Sequence, residues 1–234
     1  MKTKSINWLF IIICVVALFV GCTPKAETDL LECDAATMTQ FPYNENGVIV
    51  AKHQKITPVA EHPGMVKIET YYVNEGKPIT VRAYEMCRTE VEATDSVVWS
   101  LQPSSTSGRL DWVLPVTEGF KKENYLGMNN TDYGGGIPVV DLWQKDGGVA
   151  IGLIEPVLRM ISMPVEWKRY ENKVSMSLRY EFEWPVELNT GDTLHTFTAF
   201  RYEHKGDFFN ALRTFSEVMQ KDAGIELPAS EPEA

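Results

Sequence analysis

Two aspartates, Asp132 and Asp141, stand either side of three consecutive glycines, Gly134 to Gly136. A pair of carboxylates flanking one bond is the equipment of glycoside hydrolysis, one protonating the leaving oxygen and the other attacking or activating water. Asp141 lies inside the apolar run Ile137 to Trp143, which reads as a hydrogen-bonded strand position instead, so no catalytic residue is assigned. Asp132 reads equally as a ligand contact at a loop tip and as a turn former. Asn129 and Asn130 share that ambiguity, because asparagine tolerates positive φ. Tyr133 and Trp143 flank the polar loop, and each reads equally as a ring for a ligand to stack on and as packing. Asn129, Asn130, Asp132, Tyr133, Asp141 and Trp143 are therefore the candidate binding residues. His53, His62, His195 and His204 show no metal spacing and read as surface or strand histidines. Neither a Gly-x-Ser-x-Gly elbow nor a glycine loop opening a helix is present, so neither a metal nor a cofactor is expected.

The elements that must carry this loop are strands. Ile137 to Trp143 and Val149 to Ile154 are apolar runs separated by Asp146-Gly147-Gly148, a hairpin signal. Short runs with turn residues between them recur along the chain: Val48 to Ala51, Met65 to Val73, Ile79 to Val91, Val97 to Leu101 and Leu110 to Val116. Lys173 to Trp184 alternates Val174, Met176, Leu178, Tyr180, Phe182 and Trp184 against polar residues, which predicts one face on a core and one in water. Val157 to Val165 is apolar on both faces and predicts a strand covered on both sides, and Leu194 to Tyr202 is the last strand. Phe208, Leu212, Phe215 and Met219 recur at helical spacing between the cap Asp207 and Gly224. The fold class is mainly β, a large antiparallel β-sandwich with one C-terminal α-helix. Most of its tryptophans are expected in the core.

The start of the chain concerns location. Lys2 and Lys4 precede an uncharged run, Trp8 to Val20, and then Gly21-Cys22, which describes a secretory signal. The Val-Gly-Cys ending resembles the lipobox of bacterial lipoproteins. That resemblance implies cleavage before Cys22, acylation of Cys22, and anchoring to a bilayer of the cell envelope, at the outer membrane. Without residues 1–21 the net charge passes from −10 to −12, which disfavours nucleic acid as a partner. Cys33 and Cys87 remain, and in an exported protein they read either as one disulfide or as two separate thiols. Residues 22–43 read as a polar tether, 44–204 as the sandwich, and 205–234 as the helix with the start of a linker.

Three stretches then carry a family resemblance: Asn124 to Trp143, Asp146 to Pro156, and Lys205-Gly206-Asp207-Phe208-Phe209-Asn210-Ala211-Leu212-Arg213-Thr214-Phe215. Together they resemble the N-terminal region of exported bacterial α-galactosidase-like glycoside hydrolases of the melibiase clan. The resemblance implies a sandwich ahead of a catalytic (β/α)₈ barrel, joined by a helix, with a sandwich loop helping to shape the sugar pocket. It also implies that the catalytic aspartates lie on the barrel, and the 213 residues after the signal hold no room for one beside a sandwich. The expectation is a non-catalytic sandwich that takes a galactoside-like carbohydrate together with a barrel encoded elsewhere, its helix stripe docking that partner. The alternative is a freestanding carbohydrate-binding or interaction lipoprotein.

Overall fold

The computed structural model describes residues 31–33, 43–45, 48–93, 97–103, 112–126, 136–157 and 159–224. Fourteen strands and one helix follow in order: β1 Leu31–Cys33, β2 Tyr43–Glu45, β3 Val48–Pro58, β4 Met65–Asn74, β5 Ile79–Glu92, β6 Val98–Leu101, β7 Val113–Val116, β8 Lys121–Leu126, β9 Val139–Gln144, β10 Gly147–Leu153, β11 Ile161–Lys168, β12 Lys173–Leu188, β13 Thr193–His195, β14 Ala199–Lys205 and α1 Phe208–Ala223. They form two antiparallel sheets. The smaller runs β1-β5-β12-β11-β8 and the larger runs β2-β3-β4-β14-β10-β9-β6-β7, with β13 beside β4. The mainly β sandwich with one C-terminal helix is what the alternating sequence predicts.

The main core lies between the sheets. Val81, Met86, Met176 and Leu178 from the smaller sheet meet Tyr72, Val140, Leu142, Ile151 and Leu153 from the larger, all buried. Burying each such side chain contributes about 1.5–3 kcal/mol. Polar ties span the same gap. The Tyr72 hydroxyl donates to the Glu85 carbonyl at 2.7 Å, and Gln102 Nε2 donates to the carbonyls of Lys122 and Met163 at 3.1 and 3.2 Å. A second core forms on the outer face of the larger sheet. There Met65, Val139, Ala150 and Phe200 are buried against Ala211 and Val218 of α1, with Leu212, Phe215 and Met219 packed around them.

Helix α1 starts where Asp207 accepts a hydrogen bond from Phe209 N and ends at Gly224, whose φ of 62° is the left-handed cap that favours glycine. Its buried line runs through Ala211, Thr214 and Val218, one step round from the predicted stripe. That stripe is half-buried against the helix's own sheet, with Phe215 stacked on Phe200 at 5.7 Å. The surface expected to receive a neighbour is thus largely occupied from within the chain. Lys67 and Lys221 complete the attachment, paired with Asp222 and Glu61.

Several boundaries differ from the expectation. β3 continues to Pro58 through exposed, mostly polar residues, because pairing with β4 sustains it without burial. β8 was not anticipated, since its polar Lys121-Lys122-Glu123 start leaves no period to read at a sheet edge. The run from Val157 becomes strand only at Ile161, and Val157 and Met160 are exposed. On β12, Ser175 and Ser177 are buried although they occupy the face predicted to be wet. The last strand divides into β13 and β14 at Thr196–Thr198, where Thr196 bonds Thr70.

Candidate functional site

β9, β10 and β14 lie side by side, with Asp141 opposite Ala150 opposite Tyr202, and Trp143 opposite Gly148 opposite His204. On the outer face of β10 the sequence alternates Gly148, Ala150 and Gly152, which makes a shallow trough between two strands with larger side chains. Side chains from β9 and β14 can meet above it. His204 Nε2 lies 2.9 Å from Asp141 Oδ1, and both side chains are fully enclosed. His204 Nδ1 faces the Lys205 carbonyl at 3.3 Å. Two acceptors around one imidazole favour the doubly protonated ring. Burial pushes His204 down, but the bond to Asp141, its charge, and the Lys205 carbonyl together raise it above its ordinary value. Burial raises Asp141, with the His204 bond opposing. Asp141 Oδ2 has no hydrogen-bond partner among the described residues. Enclosed in this way, Asp141 has no access to a ligand, and its role is to hold β9 to β14 under the helix.

The glycines of the trough are fixed by close approach. A Cβ on Gly148 would come within 2.5 Å of the Leu142 carbonyl and 2.6 Å of Trp143 Cβ, and one on Gly152 would meet the Phe200 ring. Trp143 therefore lies low over β10, 8% exposed, with Phe208 of the helix 5.3 Å away between centroids.

Beyond the helix the larger sheet continues into β6, where Trp99 pairs with Trp143 in register. A helix standing on a sheet leaves a step at its flank, and here the step is a groove of about 400 Å³. It is lined by Val97, Trp99, Trp143, Gln144, Lys145, Gly206 and Asp207. Trp99, expected in the core, is 39% exposed along it. A second groove, of about 490 Å³, follows the other flank and is lined by charged residues including Lys205, Arg213 and Glu217.

β8 and β9, which flank the glycine loop in sequence, belong to different sheets. β8 finishes at Leu126, in one row with Ile161 of β11 and Tyr180 of β12. β9 resumes the chain at Val139. Asn129, Asn130, Asp132 and Tyr133 lie outside the described residues. Further along, β12 runs past Tyr180, and its register to β5 slips between Glu181 and Val186, extruding Phe182 to Pro185 as a bulge. Trp184, predicted as core, is turned out by that bulge and is 77% exposed. Beside it Tyr84, Tyr180, Phe182 and Phe197 form an aromatic cluster, with the Arg159 guanidinium 4.7 Å from the Phe197 ring.

Of the six candidate binding residues, Asp141 and Trp143 lie within the described residues, both on β9. The six residues of β9 span about 20 Å. Trp143 sits toward the Lys145–Asp146 turn and packs on Phe208 of the helix, and Asp141, two residues after Val139, pairs with His204 under it. Trp99 and Trp184 were missed as exposed, since a tryptophan in an alternating strand carries no sign of whether that strand bulges or outruns its cover. His204 is a strand histidine as expected, and its partner was not foreseen. Cys22 lies outside the described residues. The backbone of Cys33 pairs in register with Val81, six positions along β5 from Cys87, about 20 Å. Among the described residues no group of three His, Cys, Asp or Glu is placed to hold a metal ion, and no helix is long and apolar enough to cross a membrane.

No family model matches the chain. It is 24% identical over 198 residues to an A type blood α-D-galactosamine galactosaminidase of Flavonifractor plautii, a match covering 74% of this chain and 17% of that protein. Among solved structures, the galactosidase domain of the α-galactosidase-sucrose kinase AgaSK superposes with a TM-score of 0.53 at 15% identity, over 67% of this chain and 22% of that one. The GH36 α-galactosidase AgaA of Geobacillus stearothermophilus in complex with raffinose gives 0.55 at 10% identity, over 77% and 30%. The chain spans about a sixth of the curated relative and under a third of these structures. Its fold is that of a β-sandwich region within α-galactosidase-like glycoside hydrolases, and it is similar in sequence to part of one such enzyme.

Proposed function

We propose that this chain is a non-catalytic sandwich of an α-galactosidase-like glycoside hydrolase, held at the cell envelope through a lipid on Cys22. Its loop end forms a lip of a sugar pocket whose reacting carboxylates reside on a separate catalytic barrel. The observation that carries this reading is the match of the sandwich to a minor portion of much longer α-galactosidases. The enclosure of Asp141 by His204 supports it, because the one described carboxylate of the sequence-derived pair is sealed from any substrate. The neighbour crystallised with raffinose favours a galactoside as the sugar.

In this reading Asn129, Asn130, Asp132 and Tyr133 supply polar and aromatic contacts at the lip. Trp184, carried outward on its bulge at the same end, offers an aromatic face to the sugar. Substituting Asp132→Ala and Trp184→Ala tests it, with methyl α-D-galactopyranoside titrated by calorimetry or by NMR. Weakened binding with unchanged folding is the expected result, and galactoside binding unaltered by both changes overturns the lip.

A further inference from the structure

We infer that the groove between helix α1 and β6 is a second carbohydrate site, distinct from the loop end, that takes a hexopyranose against Trp99. A pyranose ring presents an apolar C–H face and a rim of hydroxyls. It therefore needs an aromatic wall with polar side chains around it. The groove has that composition: Trp99 and Trp143 are register partners forming its aromatic side, and Gln144, Lys145 and Asp207 stand at its edge. Gln144 is held in place by donating to the Glu92 carbonyl at 2.7 Å, and Asp207 is fixed by the helix cap. A carboxylate has two oxygens, and the cap uses one of them, Oδ1. The volume of about 400 Å³ falls within the range of small-ligand sites and holds one or two hexose rings.

The walls are rigid. Trp143 is pressed between Gly148 and Phe208, so it cannot swing to close the groove. Trp99 sits on β6, hydrogen-bonded on one side to β7 and on the other to β9. The ligand thus meets a preformed surface and costs little ordering. The protein's net charge of −10 favours a neutral sugar over an anionic one. The groove is tested in a protein whose lip residues are substituted, so it survives or fails without the lip.

The test uses the purified protein carrying Asp132→Ala and Trp184→Ala, which removes the lip and the fluorescence of Trp184. Titration with methyl α-D-galactopyranoside and with raffinose is followed by tryptophan emission. Saturable quenching in this background is expected, and adding Trp99→Ala weakens it about tenfold, the loss of one stacking face. Lys145→Ala, which leaves the aromatic wall intact, weakens it less. Absence of saturable quenching, or quenching unaffected by Trp99→Ala, overturns the site. A Trp99→Ala protein that loses self-association or capture of another polypeptide, with sugar binding unchanged, overturns it too and makes the groove a protein contact.

Discussion

His204 Nε2 and Asp141 Oδ1 meet at 2.9 Å across an intervening strand, 63 residues apart in the chain and enclosed beneath α1. The meeting depends on Gly148 and Ala150 leaving the space between β9 and β14 open. A buried pair of this kind fixes which strands lie together more than it adds net stability. Removing one member leaves the other enclosed without compensation. His204→Ala or Asp141→Ala is therefore expected to lower unfolding free energy by about 3–5 kcal/mol, read from urea denaturation. A loss below about 1 kcal/mol contradicts the enclosure.

The same pair predicts a pH dependence. Burial raises Asp141 above its ordinary value, and Asp141 raises His204 against the opposing effect of burial, so the native state binds protons better than the unfolded chain. Stability then falls as pH rises, from near the ordinary carboxylate value of 3.8 to beyond the ordinary imidazole value of 6.5. The His204 contribution is fully present below 6.5 and disappears as pH climbs through its raised value. Urea midpoints at about pH 6 and about pH 9 measure the decline, which is expected to shrink in Asp141→Asn/His204→Gln. An equal decline in that variant rules the pair out as its source.

Gly148→Ala and Gly152→Ala place a methyl group against Trp143 and Phe200. Each is expected to cost about 1–3 kcal/mol, the usual penalty of overpacking. The helix should suffer first, because both rings lie under it: Trp143 packs on Phe208 and Phe200 on Phe215. Hydrogen exchange at residues 211–219 reads this directly. Faster exchange there, with the smaller sheet unaffected, is the expected pattern, and uniform protection contradicts it.

Trp184→Ala is expected to leave stability within about 0.5 kcal/mol, since the ring is mostly in water. A thermal shift beyond about 2 °C shows instead that the bulge is structural.

Much of this architecture is legible in sequence because it is local. The Asp146-Gly147 turn, the existence of β12, and the Asp207 and Gly224 caps each depend on neighbours in the chain. What was not legible depends on which strands become adjacent. His204 finds Asp141 only through the order β9-β10-β14. The sequence cannot show that β12 must slip against β5, and so Trp184 read as core. Trp99 is exposed because α1 stops covering the sheet before β6, a consequence of where the helix docks. Asp141 and Trp143 read as neighbours of the glycine loop along the chain, and what the sequence does not show is that on β9 they meet His204 and Phe208.

We propose that this sandwich supports a glycosidase without performing the reaction. It is tested most directly by incubating the purified protein with the nitrophenyl α-glycosides of galactose and N-acetylgalactosamine and measuring nitrophenol release. No release above the buffer rate is expected. Steady turnover that co-purifies with the protein through successive columns, and that falls on Asp132→Ala, contradicts it.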